Sequence, residues 1–148
     1  MFYLGVLLQV FSTRSMPEQL NTVTTFLNLS EALEIDPAAY ADVLHAEVEQ
    51  IEYPNLMNRT LQRRSFDDII EHIRAGRELM VNPRFEMQKA QVCADNSIIV
   101  EGYWHATLAT DIGSMVRGQK LSAQFCVLFE LRDNKIIQQR TYACYDHV

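Results

Sequence analysis

Few side chains in this sequence combine a proton-moving group with a position that could use one. Tyr53 closes the run Val48–Tyr53, directly before Pro54. A phenol there can donate a hydrogen bond to a bound molecule or act as a weak acid; it can equally close a core with its hydroxyl satisfied. His45 comes just before that run and His105 falls inside the run 97–109. Imidazole is the group best suited to proton transfer near neutral pH, although either histidine could instead be an ordinary core or surface residue. Gln139 and Thr141 lie two apart on the last extended run. An amide and a hydroxyl need partners if they are buried. Trp104 offers a broad ring, for stacking on a ligand or for plain core. No cluster with metal-ligand spacing, no phosphate loop and no dinucleotide fingerprint occurs, so neither a metal nor an organic cofactor is expected.

Bulk properties narrow the class. The 148 residues fit one domain, and a chain this long buries a core without staples. A net charge of −6 argues against nucleic acid, which calls for a clustered basic face. The one basic cluster, Arg59, Arg63 and Arg64, reads as a solvated loop before a helix. Cys93, Cys126 and Cys144 sit in extended runs, where cysteine behaves as a small apolar residue. An odd count without a secretion signal predicts reduced thiols and a cytoplasmic protein.

The elements that must position the candidate residues follow from spacing. Met1 to Phe11 is apolar but too short to span a membrane, and it lacks a signal peptide's positive start. Residues 1–15 are expected to be an N-terminal extension or a misassigned start, with the domain over 16–148. Leu20, Val23, Phe26, Leu27, Ser30 and Leu33 share one face of a helix over Pro17–Glu34. Asp36-Pro37 opens a second helix, which carries Tyr40, Val43 and Leu44 inward and ends near Glu47, beside His45. Val48–Tyr53 is a short strand stopped by Pro54. Ser65 and Asp68 form a capping-box signature for a third helix with an Ile69, Ile70, Ile73 stripe, ended by Asn82-Pro83.

Four long strands come next, over Phe85–Cys93, Ser97–Ala109, Lys120–Leu131 and Lys135–His147. Alternation turns Leu121, Ala123, Phe125, Val127 and Phe129 toward the helices, with Trp104 on the same side and His105 outward. On the last strand Ile137, Gln139, Thr141, Ala143 and Tyr145 share a face. The outer face is half apolar, which predicts a homodimer through it. Helices in front of a long-stranded antiparallel sheet make an α+β domain.

This order resembles the nuclear transport factor 2-like superfamily, and in particular its SnoaL-like members and their ketosteroid isomerase relatives. The resemblance covers residues 16–148 and is carried best by Leu131-Arg-Asp-Asn-Lys-Ile-Ile-Gln-Gln-Arg-Thr-Tyr142, which is similar to the family's closing hairpin. It implies a cone-shaped cavity between a curved, mostly antiparallel sheet and about three N-terminal helices. By the same resemblance Trp104, Phe125, Val127, Phe129 and Ile70 would line that cavity, with Tyr53, Gln139, Thr141 and His45 as its polar groups.

The family's catalytic positions do not carry over cleanly. The isomerase base falls on Tyr53 and its oxyanion donors near Leu29 and Val127. Neither an aliphatic donor nor a missing base supports enolate chemistry. The epoxide hydrolase positions read Gly102, Trp104 and Thr141, and the cyclase acid nearest in sequence, Asp146, points outward by parity. A scytalone dehydratase-like set would use Tyr53, His72 and His105. The resemblance therefore implies a binder of a small hydrophobic molecule, with a cofactor-free isomerase, cyclase or dehydratase-type step, or else a non-catalytic binding or dimerisation module.

Overall fold

The computed structural model describes residues 17–146. The apolar 1–15 segment therefore lies outside the described residues. Helix α1 spans Glu18–Glu31 and a single turn, α2, spans Pro37–Tyr40. Strand β1 runs Leu44–Glu52 and β2 runs Gln62–Arg64. Helix α3 covers Phe66–Leu79, followed by β3 (Met80–Val92), β4 (Ile98–Leu108), β5 (Lys120–Arg132) and β6 (Lys135–Tyr145). The strands form one curved, mixed sheet in the order β2-β1-β6-β5-β4-β3. Among the described residues only β1 and β6 pair in parallel. Among the described residues no helix is long and apolar enough to cross a membrane.

The third helix starts as its signature predicts. Ser65 Oγ accepts from the Asp68 N–H at 3.3 Å, and the Asp68 carboxylate accepts from the Ser65 N–H at 3.0 Å. Ile69, Ile70 and Ile73 then face the sheet. Helix α1 buries Val23, Phe26 and Leu27 in the same core. Phe26 meets Phe129 and Tyr40 edge-on, with ring centroids 6.3 and 6.2 Å away. The inward sets of β4 and β5 are as alternation predicts: Ile98, Val100, Ala106, Leu121, Ala123, Phe125, Val127 and Phe129 are buried.

Besides β2, a strand where the sequence reads as a loop, three elements differ from expectation, each for a physical reason. The second helix is one turn and does not reach Glu47. Tyr40 Oη donates to the Glu34 carbonyl at 2.8 Å, and the Ile136 N–H donates to the Val43 carbonyl at 2.8 Å. Pairing with β6 thus takes the chain from residue 44 onward. Strand β3 begins at Met80, not Phe85, and contains Pro83. It is an edge strand, and its register shifts between Val81 and Arg84 with Asn82 at φ 52°, so the missing proline N–H costs no ladder bond. On β6 a bulge between the Leu131–Ile136 and Glu130–Gln138 pairs flips parity. Ile136, rather than Ile137, is fully buried, while Gln139 keeps its inward position.

A second register shift of β3 lies between Met87 and Lys89, where Met87 pairs with Gly102 of β4. A Cβ added at Gly102 would stand 2.1 Å from the Glu86 carbonyl oxygen. Glycine is required where the two backbones come this close.

Candidate functional site

The sheet curls around α1 and α3 and leaves a cavity of about 450 Å³ between them. Its apolar wall comes from Phe26, Leu27, Ile69, Ile73, Phe85, Trp104, Phe125 and Val127. Phe85 meets Phe125 edge-on at 5.7 Å, and Trp104 meets Tyr145 likewise at 6.0 Å. A broader depression of about 550 Å³ lies outside, between the end of α1 and Asn82–Arg84, and is a surface cleft.

The polar wall is built by three neighbouring strands. Alternation along β1 from buried Val48 turns Gln50 and Glu52 into the cavity. Antiparallel pairing sets Gln50 opposite Arg64 of β2, and parallel pairing sets it beside Gln139 of β6. Arg64 donates to the Glu52 carboxylate at 2.9 Å and to the Gln50 Oε1 at 3.1 Å. Gln50 Nε2 donates to Gln139 Oε1 at 3.0 Å, and Gln139 Nε2 reaches Thr141 Oγ1 at 3.4 Å. Asn55 and Asn58 donate to Glu52 Oε1 at 3.0 and 3.2 Å. The loop after β1 is therefore tied to the same carboxylate.

Burial sets the chemistry of this wall. Desolvation alone would raise the Glu52 pKa, but hydrogen bonds from Asn55, Arg64 and Asn58 outweigh it and hold the carboxyl below its ordinary value. Crowding by surrounding protein pushes the His72 pKa down, the Arg64 charge pushes the same way, and Glu52 opposes them. His72 stands on α3 at the cavity's rim and is exposed to solvent. Its imidazole is neutral near pH 7 and can accept a proton. Desolvation, with the Glu52 charge adding to it, raises the Tyr145 pKa, so this half-buried phenol stays protonated and can donate.

The residues expected at the site divide sharply. Trp104, Phe125, Val127, Gln139 and Thr141 line the cavity together. Phe129 and Ile70 do not: Phe129 is fully buried beneath Phe26, and Ile70 is packed in the core. Tyr53 is outside as well. Glu52 takes the inward position at the end of β1, so the next side chain turns outward, and Tyr53 stacks on Tyr142 with centroids 4.5 Å apart. His45 sits where the register of β1 slips, and its Nδ1 accepts from the Glu47 N–H at 3.0 Å. His105 is on the outer face, 3.2 Å from the Glu86 carboxylate and stacked with Tyr103. The tyrosine and both histidines expected to do chemistry therefore stand away from the cavity. Gln50, Glu52 and Arg64 also line the cavity, and the sequence reading did not place them there. The signal was present, because period-two spacing from Val48 selects Gln50 and Glu52.

Among the described residues no group of three metal-ligating side chains gathers. The cavity presents an ion pair, the buried amides of Gln50 and Gln139, the Asn58 amide, the hydroxyls of Ser30 and Thr141, a phenol and a rim imidazole. Such a set can orient a mostly apolar molecule and exchange protons with it.

A curved six-stranded sheet closed by helices over such a cavity defines a class of small α+β barrels, and the comparisons identify the family. The chain matches the SnoaL-like domain over residues 24–139 and belongs to that family. Among solved structures it is similar to a protein provisionally assigned as a SnoaL-like polyketide cyclase from a Jannaschia species. That pair has 14% identity and a TM-score of 0.68, and covers 85% of each chain. IdmH of Streptomyces antibioticus, provisionally assigned as a polyketide cyclase, has 9% identity and a TM-score of 0.70 over 86% of this chain and 92% of its own. An NTF2-like protein from Burkholderia thailandensis has 20% identity and a TM-score of 0.64 over 86% and 92%. At these identities the likeness is one of fold. No curated protein sequence matches the chain.

Proposed function

We propose that this SnoaL-like protein binds a small, largely hydrophobic organic molecule in the cone-shaped cavity and carries out a cofactor-free proton transfer on it. The observation that carries the reading is the cavity itself: about 450 Å³, walled by aromatic and aliphatic side chains, with its polar groups converging on one side. His72 is the base candidate, and Tyr145 the donor candidate, in place of Tyr53, His45 and His105. The cyclase assignments of similar folds agree with this class of chemistry. The test is native mass spectrometry of protein purified gently from its own host, followed by turnover assays on the extracted compound. A stoichiometric hydrophobic ligand supports binding. A rate that falls as pH drops below the ordinary histidine range of ~6.5, and is lost in His72→Gln, supports catalysis. A ligand-free protein that also ignores a panel of ring ketones, enones and epoxides sinks the reading.

One observation favours a non-catalytic binder. Glu52, a carboxylate in the cavity wall, is held by Arg64, Asn55 and Asn58, and so is poorly placed to act as a base. Stoichiometric ligand recovered unchanged, with wild-type and His72→Gln protein alike, would select this alternative.

We also propose a homodimer through the outer sheet face, supported by the Tyr53–Tyr142 stack and by Tyr142 being 43% exposed. Light scattering should give twice the chain mass, and Tyr142→Arg should halve it; a wild-type monomer at micromolar concentration removes the proposal. The free thiols of Cys93, Cys126 and Cys144 fit the reducing cytoplasm, which cell fractionation checks.

A further inference from the structure

The polar wall has a direction, and the direction follows from chemistry alone. An arginine side chain donates hydrogen bonds and accepts none. Arg64 therefore fixes the amide of Gln50 with its oxygen toward the guanidinium, at 3.1 Å. The NH₂ of Gln50 must then face Gln139, whose oxygen accepts at 3.0 Å. The NH₂ of Gln139 in turn faces Thr141 Oγ1 at 3.4 Å. Both amides are more than nine-tenths buried, so neither can turn over to satisfy itself in solvent. Thr141 receives a hydrogen bond and keeps its own proton, and it lines the cavity. Hydrogen bonds in such a chain polarise one another in the same sense, away from the cation.

We propose that Arg64, Gln50, Gln139 and Thr141 form a one-way donor relay whose last hydroxyl donates to an acceptor oxygen of the ligand, so that the cavity selects neutral carbonyl compounds. This rests on the cavity being a ligand site. Neutral molecules are selected because the charges of Glu52 and Arg64 cancel within a 2.9 Å pair. An anion would face the Glu52 carboxylate, and a cation would find that carboxylate already occupied. Thr141 is then a specificity-determining residue, and Gln139 and Gln50 are positioning residues that act through it.

A matched pair of probes tests this: 2-acetylnaphthalene and 2-isopropenylnaphthalene, which share shape but differ in having C=O or C=CH₂. Dissociation constants for both are measured by ligand-observed NMR on the full chain, with wild type, Thr141→Val, Thr141→Ser and Gln139→Leu. The ratio of alkene to ketone constants should fall about five- to tenfold in Thr141→Val, the worth of one hydrogen bond, and stay near wild type in Thr141→Ser. Gln139→Leu should give an intermediate ratio. The carbonyl stretch of bound ketone should move to lower frequency in wild type and back in Thr141→Val, a readout that mere loss of packing does not produce. Ketone and alkene binding with a ratio unchanged by Thr141→Val overturns the relay and leaves the ligand cavity standing. Failure of both probes to bind wild type overturns the cavity reading and the relay with it.

Discussion

Arg63 and Arg64 are neighbours on the three-residue strand β2, and each pairs with a glutamate of β1, yet the two pairs live in different media. Alternation sends Arg63 to the outer face, where it meets Glu49 at 3.0 Å with side chains 58% and 45% exposed. It sends Arg64 into the cavity wall, where it meets Glu52 at 2.9 Å with exposures of 10% and 15%. Residue types and distances are nearly the same. Water screens the first pair, which then contributes little. The second pair has lost most of its water, so each charge depends on the other and on Gln50, Asn55 and Asn58. The lesson is that an ion pair here becomes part of a site through one step of strand parity, and that a basic cluster read as solvated loop was half right.

The sharpest way to break this contrast is to remove one cation at a time. Arg64→Met keeps an unbranched stem but leaves Glu52 ionised and poorly paired in the wall. It should cost about 3 kcal/mol in denaturant unfolding, while Arg63→Met should cost less than about 0.5 kcal/mol. Equal losses would mean that parity does not set the value of these pairs.

Acid should sharpen it next. The folded pKa of Glu52 is depressed, so its contribution is fully present above the unfolded carboxylate value of ~4.3. It is lost as pH falls through the lower folded value, because the unfolded chain then binds the proton first. Glu52→Gln should start less stable at neutral pH, but lose less between about pH 5 and pH 3 than wild type does. Parallel stability curves would show that Glu52 gains nothing from its partners.

Much of the fold was legible because it is written in repeating patterns. The Ser65–Asp68 cap, the Ile69, Ile70, Ile73 stripe and the alternation of β4 and β5 each bury the residues their spacing selects. The site was less legible because it depends on where pairing begins and slips. Nothing local says that β6 captures the chain at Leu44, so the spacing places His45 at the end of a helix, although it sits at a register shift. Nothing local places the bulge at Ile137, which sets Ile136 and Gln139 on one face. The resemblance implies an inward Tyr53, one residue from Glu52, and one residue on a strand is a whole face. Arg64 could not be found without β2, whose three residues are too few to show a period.

The buried amides come next in size. Gln139→Leu removes the acceptor of Gln50 Nε2 and leaves that donor in a wall where Gln50 is only 9% exposed. A loss of about 1–2 kcal/mol is expected. The double variant Gln50→Leu/Gln139→Leu should recover part of it, because the Gln50 amide is then no longer stranded, while Arg64 loses that acceptor but keeps Glu52. A double variant worse than the sum of the two singles would mean that the pair matters for shape rather than for hydrogen bonding.

The smallest effect belongs to the outer pair. A double-mutant cycle of Glu49→Ala and Arg63→Ala should give a coupling below about 0.5 kcal/mol, fading as salt shortens the screening length. The cycle has a further use, because it reads the environment of the outer face. Should that face be covered by a second copy of the chain, water near the Arg63–Glu49 pair would be displaced and the coupling would grow with protein concentration. A coupling that is small and independent of concentration keeps the pair solvent-exposed and confines any interface to the part of the face around Tyr53 and Tyr142.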